Sequence, residues 1–296
     1  MSMTPFSSLK SLVLLAALFA AVGAVEAAPN GTMRLATDSV GHYTAEVMLN
    51  EAGPFRFVVD TGSQFSVLSH KAASSLGLHA GSTVKVTGAS GAQISGVVIV
   101  RDYRSDIFDL HGESMALMPD DSSLDTDGVL GMNPFVGNRI EFDFEKGLFS
   151  VSASGASSDG YVVQSGAVRL LSFLVVDVVV DGVHASALID TGGKQTIANP
   201  QLRDALGFDA RDPRLVQEPS IHGVTTHTTP ASKTTLDRLS IGGLSFAKPS
   251  VTFSDLPVFR ALGLDRGPAL IIGVDQLSVL GGVAIDYPRA ELQLRP

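Results

Sequence analysis

Phe57-Val58-Val59-Asp60-Thr61-Gly62-Ser63 is written twice in this chain. The second copy, 130 residues on, is Ala187-Leu188-Ile189-Asp190-Thr191-Gly192-Gly193. In each copy a short apolar run stops abruptly at Asp-Thr-Gly. The run reads as a buried strand, and the glycine lets the backbone turn sharply and bring N–H groups near the carboxylate. One such tripeptide would be an ordinary strand-ending Asx turn. Two of them, each delivering a carboxylate from a rigid strand, suggest a paired acid and base.

The surroundings of the two copies match as well. Tyr43 to Leu49 alternates as a strand does, turns at Asn50-Glu51-Ala52-Gly53 and returns through Phe55 to Val59 into Asp60. Phe173 to Val180 runs into Asp181-Gly182, a strong hairpin signal, and returns through Ala185 to Ile189 into Asp190. Ser69 and Asn199 each lie nine residues past their Asp and are good helix N-caps, with Pro200 at a favourable first helical position. Gly77 and Gly207 follow as C-cap glycines after Leu76 and Leu206. Later, Gly128-Val129-Leu130-Gly131 leads to Ile140-Glu141-Phe142-Asp143-Phe144 and a last strand at Leu148 to Val151. Likewise Leu270-Ile271-Ile272-Gly273 leads to Val283-Ala284-Ile285-Asp286-Tyr287 and Leu292 to Leu294. The period is too long for a solenoid and is that of a domain duplication. Ser152 to Gly160, rich in Ser, Gly and Ala, reads as a flexible linker. The expected division is a first lobe at 28–153, a connection at 154–160 and a second lobe at 161–296.

The amino terminus has the form of a secretory signal over residues 1–27. Lys10 stands before an uncharged apolar run from Leu12 to Val25, and Val25-Glu26-Ala27 offers small residues for cleavage near Ala27. The run is shorter than the ~20 residues a bilayer span needs, so no stable membrane span is expected after cleavage. With no Cys in the chain, the mature protein stands on its core alone in an exported, periplasmic or secreted setting. A net charge of −9 without a basic cluster argues against nucleic acid or anionic membrane as a partner. Thirty glycines, abundant Val and no Trp suit a β-rich protein with many tight turns.

Asp-Thr-Gly followed later by two apolar residues and Gly, in that order in both halves, resembles the retropepsin and pepsin-like aspartic proteases. The nearest kind is the single-chain bacterial type with two fused retropepsin-like lobes. The resemblance covers nearly all of the chain after the signal. It implies an all-β, bilobal fold of two duplicated β-barrel lobes with short helices. It further implies that Asp60 and Asp190 meet across a pseudo-two-fold axis, share a proton and activate a water for peptide-bond hydrolysis, with no metal, cofactor or covalent intermediate. Thr61 and Thr191 are expected to brace the two loops across the lobe interface, Gly62 and Gly192 to aim N–H groups at the carboxylates, and Ser63 to bond the outer oxygen of Asp60. Gly193 lacks that hydroxyl, so Asp190 is expected to go without the support and the two carboxylates to be unequal. Flap hairpins would close over an extended peptide or protein substrate. The candidates are Val86 to Val97, with Gly88, Gly91 and Gly96 for a mobile tip, and Ile221 to Pro230, with Gly223. Intramolecular lobe pairing would make the protein active as a monomer. Gly193 and flaps without Tyr motivate an alternative, an inactive peptide-binding module that keeps the cleft. A structural scaffold domain has no positive signal.

Other polar clusters read as structural. His222 and His227 flank the second flap tip without a convincingly spaced third metal ligand. Asp120-Asp121 and Asp125-Thr126-Asp127-Gly128 lack the alternating ligands and closing Glu of a calcium loop, and Asp127 fits the turn entering Val129. Asp143 and Asp286 are equivalent in the repeat and precede closing strands. Residues 28–41 could serve as a prosegment but lack basic character.

Overall fold

The strand-forming pattern around each Asp becomes a hairpin in three dimensions. In the computed structural model, which describes residues 14–16, 30–118, 124–209, 211–222 and 228–296, Tyr43–Leu49 pairs antiparallel with Ala52–Val59. Phe173–Val180 pairs antiparallel with Val183–Ile189. The second strand of each hairpin is buried at its end, with Phe57, Val58, Val59, Ala187, Leu188 and Ile189 fully covered. Burial of side chains this size stabilises by about 1.5–3 kcal/mol each, an anchor for the Asp that follows.

The apolar-apolar-Gly elements lie beside these strands. Gly128–Leu130 pairs in parallel with Phe57–Val59 and antiparallel with Val67–Leu68. Ala269–Ile272 pairs in parallel with Ser186–Ile189 and antiparallel with Ile197–Ala198. The post-Asp segment therefore folds back against the apolar-apolar-Gly strand, which lies between it and the strand that carries the Asp. The glycine that ends each apolar-apolar-Gly element is required by this approach, since a Cβ on Gly131 would sit 2.3 Å from the Phe65 backbone and one on Gly273 2.6 Å from the Gly193 carbonyl oxygen.

Short helices follow, as the caps predict. Ser69 caps His70–Ser75 by accepting from the Ala72 amide, and Asn199 caps Pro200–Ala205 by accepting from the Leu202 amide. Gly77 and Gly207 turn out of these helices at φ 63° and 77°. The first candidate flap is the hairpin of Ser82–Gly88 and Gly91–Arg104, and the second that of Val216–His222 and Thr228–Thr235. The second tip, with Gly223 and His227, lies outside the described residues, as does Asp120-Asp121. So does the signal segment, apart from Leu14–Ala16, a short strand paired antiparallel with Val86–Gly88 of the first flap.

The two halves are joined by a sheet built from both. In order it runs Gly31–Arg34, Leu148–Ser152, Arg139–Asp143, Gly282–Asp286, Glu291–Arg295 and Val162–Arg169, with each neighbouring pair antiparallel. The central pairing sets Phe142 opposite Val283 and Ile140 opposite Ile285, so the closing strands of the repeats meet along the pseudo-two-fold axis. Beneath the first half, Tyr103, Phe108, Phe135, Phe149 and Phe142 form a buried series with ring centroids 4.7, 6.0, 5.5 and 4.9 Å apart. Edge-on pairs of this kind add about 0.5–1.5 kcal/mol beyond burial and tie the first lobe to the shared sheet.

The connection between the halves differs from the flexible linker its composition suggests. The Ser154 hydroxyl and the Gly155 amide both donate to the buried Asp286 carboxylate at 2.7 Å, pinning the start of the linker to the shared sheet. Its repeat counterpart, Asp143, holds Lys146 at 2.8 Å and Arg295 at 3.1 Å. Small residues removed the side-chain signal for order here, while the partner that orders them lay 131 residues away. Among the described residues, no helix is long and apolar enough to cross a membrane.

Candidate active site

Asp60 and Asp190 leave their strands at equivalent points. The Asp60 amide donates to the Leu130 carbonyl at 3.1 Å and the Asp190 amide to the Ile272 carbonyl at 3.0 Å, so each apolar-apolar-Gly strand fixes one Asp backbone. The loops then meet across the interface. The Thr61 amide donates to Thr191 Oγ1 at 3.0 Å, and the Thr191 amide donates to Thr61 Oγ1 at 3.0 Å. Each hydroxyl in turn donates to the strand of the opposite half, Thr61 Oγ1 to the Ile189 carbonyl at 2.9 Å and Thr191 Oγ1 to the Val59 carbonyl at 2.8 Å. Both hydroxyls thus use their donor and one acceptor position in a closed, buried set of four bonds. Such a set is rigid because breaking any bond leaves a buried group unpaired.

This brace presses each carboxyl against the glycine of the other half. A Cβ on Gly192 would lie 2.2 Å from Asp60 Cγ, and one on Gly62 would lie 2.5 Å from Asp190 Oδ1. Only glycine permits that approach. The Gly62 amide donates to Asp60 Oδ1 at 2.7 Å, while Asp190 Oδ1 accepts from the amides of Gly192 and Gly193, each at 2.9 Å.

One expectation is corrected here. The Ser63 hydroxyl does not reach Asp60. It donates to the Phe65 carbonyl at 2.9 Å, because the chain turns back within two residues and offers a nearer acceptor. At Gly193 the missing hydroxyl leaves Asp190 Oδ2 without a partner among the described residues, while the Gly193 amide adds a second bond to Oδ1.

Both carboxyls are wholly buried, and outside the pair itself no described residue hydrogen-bonds their Oδ2 atoms. Burial raises the pKa of Asp60 above the usual carboxylate range, partly offset by hydrogen bonds from Asp190 and from the amides of Gly62 and Gly192. Burial likewise raises that of Asp190, and there the charge of Asp60 and the hydrogen bond to it push in the same direction. The hydrogen-bond settings of the two are unequal, one amide bond at Asp60 Oδ1 against two at Asp190 Oδ1. Like charges this close cannot both form cheaply, so the two titrate as one unit.

Several supporting residues escaped sequence reasoning. Ser66 and Thr196 each lie six positions past their Asp, and their hydroxyls accept from the amides of Gly131 at 3.1 Å and Gly273 at 3.3 Å. The shared offset was a signal that repeat comparison could have used. Asp127 clamps the first Asp-bearing strand by accepting from the Arg56 amide at 2.9 Å and donating to the Arg56 carbonyl at 2.8 Å. The first flap differs from an open mobile tip. Gly88 and Gly91 flank Ala89 and Ser90, which are buried, and the Ala89 carbonyl accepts from the Val258 amide of the second half at 3.4 Å. Ala89 packs in one apolar cluster with Leu256, Val258 and Phe259, a contact that no local pattern announces. Gly96 lies along the flap strand, where a Cβ would meet Ala80 at 2.8 Å. Among the described residues, no group of three or more His, Asp or Glu is placed to hold a metal ion.

No curated protein matches the chain. The family model described as aspartyl protease matches it in two segments, residues 45–133 and 176–276, one around each Asp. Two matched segments on two pseudo-symmetric lobes, with paired Asp-Thr-Gly loops between them, place this chain in the aspartyl protease family, as two fused retropepsin-like lobes.

Proposed function

We propose that the protein is an exported aspartic endopeptidase, active as a monomer, whose dyad is Asp60 and Asp190. The observation that carries this reading is the pair of buried carboxyls, one from each lobe, with one oxygen apiece that no described residue outside the pair bonds. A structural role would not need two carboxyls held together at the cost of desolvating both.

In the proposed reaction, ionised Asp60 takes a proton from a water as its oxygen attacks the scissile carbonyl carbon. Protonated Asp190 donates to the carbonyl oxygen, giving a neutral gem-diol. Asp60 then passes its proton to the peptide nitrogen, one gem-diol hydroxyl returns a proton to Asp190, and the C–N bond breaks to an amine and a carboxylic acid. The dyad ends as it began. The Thr brace and the glycine amides keep the carboxyls in position through both steps without reorganisation. An extended peptide would add to the flap by backbone pairing. The pairing of Leu14–Ala16 with Val86–Gly88 supports the view that this flap edge accepts a strand. Export rests on the signal pattern at 1–27, and the division into lobes 28–153 and 161–296 on the repeat.

The test compares residues 28–296 with their Asp60→Asn and Asp190→Asn variants on a mixed peptide library, from about pH 3 to pH 8, reading products by mass spectrometry. Cleavage by the parent protein, lost in both folded variants, is the expected result. Loss in only one variant would remove the shared dyad. A folded parent that binds peptides but never cleaves them would leave the peptide-binding module in its place.

A further inference from the structure

The chain has four tyrosines, and three of their hydroxyls have a partner: Tyr43 bonds Ser278, Tyr103 lies 3.5 Å from Ser66 Oγ and Tyr161 donates to Glu141. The fourth does not. Tyr287 is 4 % exposed, and its hydroxyl has no hydrogen-bond partner among the described residues. Packing does not explain that hydroxyl. Phe144 holds the same place in the first half, one residue past Asp143 as Tyr287 is past Asp286. The two make equivalent bonds across the halves, the Phe144 amide to the Gly281 carbonyl at 3.1 Å and the Tyr287 amide to the Asn138 carbonyl at 3.2 Å. A phenyl ring therefore suffices at this repeat position, and the hydroxyl is an addition in the second half. Burying an O–H without a partner destabilises a fold, so this one calls for a use outside packing.

Its surroundings point to Asp60. From Asn138 a series of backbone bonds runs into the Asp60 loop. The Asn138 amide donates to the Phe135 carbonyl at 2.9 Å, the Phe135 amide to the Met132 carbonyl at 2.8 Å, and the Met132 amide to the Ser63 carbonyl at 2.9 Å, three residues past Asp60. Beside it the Asn133 amide donates to the Gln64 carbonyl at 3.0 Å. Tyr287 of the second half is thus bonded to the turn that seats the first-half Asp. Burial raises the pKa of the phenol, and the charge of Asp60 raises it further; among the described residues Asp60 is the charged group that acts on it. The neighbouring Asp286 carboxylate is taken up by Ser154 and Gly155 instead. We propose that Tyr287 is a positioning residue of the reaction, whose hydroxyl turns its hydrogen toward Asp60 and favours the ionised, water-activating form of that carboxyl. This rests on the endopeptidase reading above. The O–H has no other partner among the described residues to fix its rotation, and in a buried, low-dielectric setting its dipole acts more strongly than in water. Phe144 can offer Asp190 no such dipole, so the support falls on one carboxyl of the two.

The test is Tyr287→Phe, which copies the ring of Phe144 and deletes the hydroxyl alone. Loss of an unpartnered buried O–H should leave Tm unchanged or raise it. Without the dipole the first ionisation of the pair becomes harder. The acid limb of kcat/KM against pH should therefore move up by about 0.5 unit, a loss of about threefold at a fixed pH on that limb. The alkaline limb, set by departure of the shared proton, should move less. Carboxyl 13C NMR of aspartate-labelled protein, with Asp60→Asn to assign the dyad, follows the same ionisation without any cleavage. An acid limb and a 13C titration within about 0.1 unit of the parent's overturn the proposal and leave the endopeptidase reading intact. Equal movement of both limbs marks a general disturbance of the site and overturns it too. Where the parent does not cleave, an upward 13C shift in Tyr287→Phe upholds the action on Asp60 without the protease, and its absence overturns it.

Discussion

Replacing Thr191 by Val tests whether the interface brace holds the dyad together. Valine keeps the shape of the side chain and deletes one oxygen. That oxygen accepts from the Thr61 amide at 3.0 Å and donates to the Val59 carbonyl at 2.8 Å. Thr191 is fully buried and Thr61 nearly so, so water cannot replace the lost partner. An orphaned buried group costs about 1–3 kcal/mol, with the N–H at the upper end and the carbonyl, which has a second lone pair, at the lower. The expected loss is about 2–4 kcal/mol, a large share of the ~5–15 kcal/mol that stabilises an ordinary domain. Thr191→Ser keeps both bonds and gives up one methyl, so it should cost about 1 kcal/mol. Thr61→Val deletes the other two bonds, to the Thr191 amide and the Ile189 carbonyl, so the two Val variants share no bond. Urea midpoints of the four proteins measure these differences at constant slope. Activity gives a second reading, because displacing a reacting group by about 1 Å can cost on the order of 10²-fold in rate. A Thr191→Val protein within about 0.5 kcal/mol of the parent, or one no worse than Thr191→Ser, would falsify the brace as the element that seats the dyad.

Other expected outcomes follow from the same geometry. Gly192→Ala drives a methyl to 2.2 Å from Asp60 Cγ. It should abolish cleavage, whereas Gly137→Ala, with nothing within 4 Å, should leave rate and Tm unchanged; equal effects of the two would refute the close approach. Because burial raises the folded-state pKa of both dyad carboxyls, the folded protein keeps protons that the unfolded chain releases above about pH 4. The dyad's favourable contribution is thus full in acid and is lost as pH rises through the raised values. Asp190→Asn removes one raised carboxyl, so its Tm should gain on the parent as pH rises above about 4, where the unfolded chain's carboxyls ionise. A Tm difference that shrinks with pH would contradict the buried pair. The pH–rate profile should be bell-shaped, falling in acid as Asp60 protonates and in base as the shared proton leaves. A plateau through the basic limb would show that no shared proton is needed. Ser63→Ala should change kcat by less than about threefold, since its hydroxyl bonds the Phe65 carbonyl rather than Asp60. A loss comparable with that of an Asp variant would restore the direct contact.

Much of this molecule was legible in one dimension because its chemistry is periodic. A hairpin, an Asp-Thr-Gly and a capped helix recur at a 130-residue offset and an apolar-apolar-Gly element at 142, and each has a local physical cause: alternation, a turn-permitting glycine, a capping oxygen. Those causes act within a few residues, so the sequence by itself determined the element order, the duplication and the identity of the two carboxyls. The destination of each hydrogen bond was another matter. Ser63 turned to Phe65, the Gly193 amide turned to Asp190, Asp286 tied down a linker whose composition read as loose, and Ala89 closed onto Val258 of the other half. Each of these choices is a competition among partners brought near by packing, often more than a hundred residues apart in the chain. Side-chain type says that a group will be satisfied, and only the folded lobes decide by what. The raised pKa values of the two carboxyls have the same origin. Two identical tripeptides carry identical carboxyls, and only the tertiary structure buries both together, raises the pKa of each and gives them different hydrogen-bond partners.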